Sequence, residues 1–296
     1  MGRAPSSVHK LGCIAMFDPK EIERQHPDLR NVQSLASGGQ KDVFSGFHQQ
    51  HGRVVVKVIK TPGVPPRMQR EIDAAEKLSS SHIPKILELR TISVAGVSHA
   101  SVVEEFVEGE TLRSLLSRGP LPLKQVLGLI ETLLAVCVEL EAAHIVHRDI
   151  KPDNILRDQC GRWWLLDLGI ARHLDLTSLT DSLQQLGPHT PGYAAPEQFR
   201  NRKQDIDIRA DLFSVGIVAF EAITGTHPFR DGARDALECR RRTETVSLPH
   251  LQIAEDSQGQ LAGFISVLTD RFPSRRPMSA REALEWFRAL RPTITA

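Results

Sequence analysis

The hydrophobic period of this chain changes once, near residue 108, and that change limits the architectures open to it. Before it, apolar residues come in short β-branched runs broken by glycine. Val32 to Phe47 reads as two strands around Ser37-Gly38-Gly39, Arg53 to Ile59 as a buried strand, and 85–95 and 98–107 as two more. One helix interrupts them, Arg67 to Leu78, with Met68, Ile72, Ala75 and Leu78 at helical spacing after a proline-rich break. Beyond residue 108 the spacing is close to 3.6. Leu112 to Leu116 is a short helix and Pro122 to Ala143 a long buried one. Further helices are expected at 209–224, 258–269 and 279–290, with strand-sized pieces only at Ile155–Leu156 and Trp163–Leu166. A strand-rich first part and a helix-rich second part predict an α+β chain of two unequal lobes. Residues 1–27 show no sustained period and read as an N-terminal extension, partly ordered at best.

Composition excludes several classes. The chain has 296 residues, 41% of them hydrophobic, enough for a sizeable core and too many for a disordered chain. A net charge of +1 gives no global pull toward nucleic acid or an anionic membrane. The four cysteines lie far apart without a C-x-x-C pair, which argues against a disulfide scaffold or a zinc site and fits a reducing compartment. No stretch approaches the roughly 20 apolar residues that span a bilayer, and no signal peptide is evident. A soluble, cytoplasmic protein without a membrane anchor is the expectation.

The chemistry concentrates in His147-Arg148-Asp149-Ile150-Lys151-Pro152-Asp153-Asn154, a loop after an apolar helix, and in Asp167-Leu168-Gly169 after an apolar strand. Oxygen donors beside a lysine suit a hard cation and a phosphate. Lys57 lies inside an apolar strand, where an ammonium is expensive without an anion; Glu71 on the following helix is a candidate partner. No G-x-x-x-x-G-K-[ST] sequence occurs, so a P-loop nucleotide site is not expected.

Taken in order from about Leu35 to Leu290, these segments resemble a eukaryotic-type (Hanks-type) Ser/Thr protein kinase of the bacterial branch. The resemblance implies a bilobal protein-kinase-like fold, with a β-rich small lobe over 28–107 and an α-helical large lobe over 108–292. It implies ATP and Mg²⁺ as cofactors, and transfer of the γ-phosphoryl group to Ser/Thr hydroxyls of protein substrates. Leu35 to Val43 matches the family's Gly-rich loop, with Gly38 retained, Ala36 and Lys41 at the outer glycine positions, and Val43 closing the motif. Val54-Val55-Val56-Lys57 matches the strand whose lysine contacts the α/β-phosphates, and Glu71 best matches the helix glutamate that pairs with it, with Glu76 as the alternative. Val102 to Gly109 matches the strand-to-hinge segment, so the backbone of Glu105 and Val107 would meet the adenine edge. Glu104 then stands at the gatekeeper position, usually apolar or small. Either the register slips by one or the pocket is unusually polar.

By the same resemblance Asp149 is the catalytic base, Lys151 neutralises charge on the γ-phosphoryl group, and Asn154 and Asp167 hold Mg²⁺. Thr190 to Glu197 resembles the end of the activation segment. Glu197 would pair with Arg276, and Asp211 would brace the catalytic-loop backbone. Autophosphorylation at Thr177, Ser178, Thr180 or Ser182 is a hypothesis, with Thr180 or Ser182 preferred. Two rivals remain open: a pseudokinase acting as an ATP-binding or scaffold module, suggested by the eroded Gly-rich loop and Glu104, and a small-molecule kinase of related fold. A dimer is also left open.

Overall fold

A computed structural model describes residues 16–63, 78, 80–168, 192–199 and 206–294. The chain divides into two compact units, Met1–Val64 with Leu87–Phe106, and Pro65–Ile86 with Val107–Ala296. The small lobe expected over 28–107 ran through the segment 65–86, which groups instead with the second unit.

The first unit is a five-stranded antiparallel sheet in the order β1-β2-β3-β5-β4, formed by β1 (Leu29–Ser37), β2 (Lys41–His48), β3 (Gly52–Pro62), β4 (Ile86–Val94) and β5 (Val97–Glu105). Alternation along the strands gives the sheet two unlike faces. Phe44, Val54, Val56, Val58 and Val103 point to one side and are buried together with Phe17, Ile22, Leu29 and Ile92. Val43, Val55, Lys57, Val102 and Glu104 occupy the intervening positions, and therefore the opposite face. The β4–β5 hairpin closes through Ala95 (φ 50°) and Gly96 (φ 79°), the left-handed pair that a two-residue turn requires.

Residues 16–27 of the expected extension are folded onto this unit. Asp18 caps the helix α1 (Pro19–Gln25), accepting from Lys20 N, and Pro19 stands in its first turn. Phe17 and Ile22 enter the sheet's core, and Asp28 meets Arg90 of β4 at 2.7 Å. Asp42, fully buried beside the Gly-rich loop, accepts from the backbone of Met16 (2.7 Å) and Phe17 (3.2 Å), from Ser37 Oγ (2.6 Å) and from Lys60 Nζ (3.0 Å). Burial alone would raise this carboxyl, but these donors outweigh it and hold it below its ordinary value.

The second unit is built around two buried helices, α3 (Leu123–Ala142) and α4 (Arg209–Thr224). Every residue of α4 from Ala210 to Ala222 is buried, so it is a central post and not an amphipathic surface helix. Gly216 permits its close approach to α6 (Gln260–Leu268), since a Cβ there would lie 2.6 Å from Thr269 Cγ2. The helices α2 (Leu112–Leu116), α5 (Ala236–Thr245) and α7 (Ala280–Leu290) complete the α-helices among the described residues. A small sheet pairs β6 (Gly109–Thr111), β7 (Ile155–Asp158) and β8 (Trp163–Leu165), with Trp163 and Trp164 both buried. This sheet positions two of the candidate site residues: Asn154 immediately precedes β7, and Asp167 follows β8 by two residues.

Candidate active site

The loop between α3 and β7 is fixed from below by α4. Asp211 Oδ2 accepts the backbone N–H of His147 at 2.7 Å, and Oδ1 that of Arg148 at 2.8 Å. Burial pushes the Asp211 carboxyl up to about 7, against the pull of those two donors. Arg148 has φ 62°, a conformation costly for a residue with a side chain. Its neighbours over-determine it, since Asp211 holds its N–H and Gln198 Nε2 donates to its carbonyl at 3.1 Å. The bracing role that the family resemblance implied for Asp211 is therefore present in the geometry. The Gln198 contact, which also takes the N–H of Ala195 at 2.8 Å, had no signal in the sequence.

Within the loop the side chains converge on Asp149. Lys151 Nζ lies 3.1 Å from Asp149 Oδ2, and Asn154 Nδ2 donates to the same oxygen at 3.0 Å and to the Asp149 carbonyl at 2.9 Å. With its amide nitrogen bonded to Asp149, Asn154 keeps its side-chain oxygen as the acceptor atom that a cation could use. His147, fully buried, accepts from Asp149 N at Nδ1 (3.2 Å) and stands 3.3 Å from the Leu166 carbonyl at Nε2. That bonding pattern assigns the proton to Nε2 and ties the loop that bears Asp149 to the residue before Asp167. Asp167 itself has φ 66°, and Leu166 N donates to the Asn154 carbonyl at 2.7 Å. Asp149, Lys151, Asn154 and Asp167 thus stand on one braced framework. Its hard oxygen donors, Asn154 and Asp167, fit a divalent cation such as Mg²⁺.

In the first unit, Lys57 pairs across the ladder with Val43 of β2 and Val102 of β5. Its Nζ lies 2.5 Å from Glu104 Oε2, and both residues are buried. The strand register places Glu104 beside Lys57. Glu104 pairs with Val55, two positions from Lys57, so the two charged side chains are diagonal neighbours on one face. Glu105 ends β5 opposite Val54, and Val107 follows it by two residues; between them Phe106 is covered by the Arg53 guanidinium, 3.8 Å from the ring centroid. Glu71 lies outside the described residues, as do Thr177, Ser178, Thr180, Ser182 and Thr190.

The Gly-rich loop does not use glycine's conformational freedom. Neither Gly38 nor Gly39 has positive φ, and a Cβ would meet only Lys41 O at 3.6 Å from Gly38 and nothing from Gly39. The turn is closed by Gly38 N donating to Lys41 O at 2.9 Å and Lys60 N to Gln40 O at 2.8 Å.

A second network, which the sequence did not reveal, holds the residues from Gly192 to Glu197. Tyr193 OH donates to Glu221 of α4. Arg113 of α2 reaches Glu221 at 2.8 Å and the Tyr193 oxygen at 2.5 Å, and Arg230 reaches Glu221 at 3.1 Å. Burial, with the Glu221 charge beside it, pushes the Tyr193 phenol well above its ordinary value. Gly192 (φ 106°) packs against His227, and the expected Glu197–Arg276 pair is present as a buried bidentate bridge at 2.6 and 3.1 Å.

Comparison with known proteins agrees with this geometry. The protein kinase domain family matches residues 29–287. The serine/threonine-protein kinase pkn2 of Myxococcus xanthus is 32% identical over 90% of this chain and 33% of its own length. The probable serine/threonine-protein kinase PknB of Corynebacterium glutamicum is 32% identical over 75% of this chain and 35% of its own, and serine/threonine-protein kinase PknA of Mycobacterium tuberculosis 34% over 67% and 47%. The chain thus spans between a third and a half of these relatives' lengths. No helix among the described residues is long and apolar enough to cross a membrane. With the family's matched region covering both units and its charged loop braced by Asp211, the chain belongs to the protein kinase domain family, of the Hanks type found in bacteria.

Proposed function

We propose that this chain is an ATP-dependent Ser/Thr protein kinase. The observation that carries the reading is the convergence of Lys151 and Asn154 on one oxygen of Asp149, in a loop whose backbone is held by Asp211. An Asp carboxylate so fixed can accept the proton of a substrate hydroxyl as its oxygen forms a bond to the γ-phosphorus and the bond to the β-phosphate oxygen breaks. Lys151, paired with that carboxylate, also offers positive charge to the transferring phosphoryl group. Asn154 and Asp167 would hold Mg²⁺, which when bound neutralises phosphate charge. Lys57 would contact the α/β-phosphates, Gly38 and Val43 would cover the nucleotide, the backbone of Glu105 and Val107 would meet its adenine edge, and Glu71 would be a further anionic partner of Lys57. Because phosphoryl transfer has a loose transition state, most of the acceleration comes from positioning and charge stabilisation.

The substrates are proteins with Ser or Thr acceptors, and the chain's own activation segment is one of them. The names of the relatives support the Ser/Thr class. The retention of Lys57, Asp149, Asn154 and Asp167 weighs against the pseudokinase reading. The test is transfer from labelled ATP with Mg²⁺, to the chain itself and to a generic basic protein, beside Asp149→Asn and Lys57→Met. Wild-type transfer that both variants lose supports the reading. Transfer that survives in both, or is absent in wild type under activating conditions, refutes it.

A further inference from the structure

Lys57 and Glu104 rise from adjacent strands on the face of the first sheet that is turned away from its core. The residues around them on that face are apolar: Val43 and Val102 flank Lys57, and Val55 pairs with Glu104. Each charged side chain retains 11% exposure. A carboxylate and an ammonium held 2.5 Å apart in such surroundings make a charge-assisted bond strengthened by poor solvation. The phosphate oxygens of a nucleotide are acceptors of the same kind. The lysine head is a compact charge on a four-carbon stem, able to pass from one anion to another without moving its strand.

We propose that Glu104 is an internal stand-in for the nucleotide's phosphate groups: its carboxylate occupies the Lys57 ammonium, and an incoming polyphosphate has to draw the ammonium away. The proposal rests on the reading of Lys57 as a phosphate contact. Glu104 is then a specificity-determining residue that tunes nucleotide affinity through the phosphates alone. The bond given up to Glu104 offsets part of the bond made to phosphate, while adenosine, which carries no phosphate, is indifferent to it.

The experiment titrates MgATP, MgADP and adenosine into the full chain by calorimetry, for wild type, Glu104→Gln, Lys57→Gln and the double variant. Glutamine keeps the shape of the side chain and removes its charge; Glu104→Met, of similar length, serves if Glu104→Gln does not fold. Glu104→Gln is expected to bind MgATP and MgADP about tenfold more tightly, the scale of one charge-assisted bond, with adenosine unchanged. In the Lys57→Gln background that gain is expected to disappear. Equal or weaker MgATP binding by Glu104→Gln overturns the proposal, as does an equal gain for adenosine or a gain that persists undiminished without Lys57. Failure of wild type to bind either MgATP or adenosine overturns the kinase reading and the proposal with it. Adenosine binding that is intact, with no effect of Glu104, overturns the proposal alone.

Discussion

Asp211 and Arg148 are joined by a bond that holds one of the least favourable backbone conformations in the protein: the carboxylate accepts the N–H of a residue whose φ is 62°. The same carboxylate takes the N–H of His147, so one side chain on a buried helix determines the path of the loop that bears Asp149.

Replacing Asp211 by alanine leaves two backbone donors without their acceptor beneath the loop that bears Asp149. The cost is about 2–4 kcal/mol of stability, measured by urea unfolding. Phosphoryl transfer falls further than stability does, because Asp149 loses its placement. Asp211→Asn keeps one acceptor oxygen and is expected to lie between wild type and alanine in kcat.

The Glu197–Arg276 bridge is buried, and Arg276 also donates to the carbonyls of Asp270 (2.7 Å) and Arg209 (2.8 Å). Glu197→Ala strands that guanidinium without its counter-charge and is expected to cost about 3–5 kcal/mol. A double-mutant cycle with Arg276→Met checks this. The double variant is expected to lose clearly less than the sum of the single losses.

Two glycines separate a required residue from a dispensable one. At Gly192 a Cβ would lie 2.3 Å from His227 Cε1 and 2.7 Å from its Nε2, in a left-handed backbone. Gly192→Ala is expected to destabilise by about 2 kcal/mol or more and to depress transfer to protein substrates. Gly39→Ala, with nothing within 4 Å, is expected to leave the melting temperature unchanged. Thermal unfolding of both variants decides the contrast.

His26 is buried with its Nε2 2.9 Å from Ser101 Oγ, and burial, aided by the Arg90 charge, lowers its pKa to about 4. The unfolded chain takes up a proton near pH 6.5 and the folded one near 4. Stability from this residue is therefore complete above pH 6.5 and lost as pH falls toward 4. Between pH 7.5 and 5 the loss is about 2 kcal/mol. Urea midpoints at the two pH values, compared with those of His26→Asn, should show that part of the acid sensitivity removed.

Much of this architecture was legible because strand and helix periods survive in the apolar residues. The helices expected at 112–116 and 209–224 coincide with α2 and α4, and the long helix expected from Pro122 begins one residue later, at Leu123. The helix α5 was missed because its sequence, Ala-Leu-Glu-Cys-Arg-Arg-Arg-Thr-Glu-Thr, buries only Cys239 and Thr243 and carries no apolar stripe. The helix α1 did carry a signal, Asp18 before Pro19, in a segment too short to show a period. The loop around Asp149 was recognisable from its residues, whereas the Lys57–Glu104 bridge depends on the register between β3 and β5, which no local pattern encodes.

The Asp42 carboxylate has a practical consequence for where this domain starts. The family's matched region opens at residue 29, yet two of the four donors on Asp42 come from Met16 and Phe17. A truncation at the family border would strip α1 from the sheet, uncover Leu29 and Phe44, and leave a buried anion short of partners next to the Gly-rich loop. The first unit's core and the partners of Asp42 thus include residues ahead of the boundary that sequence similarity draws.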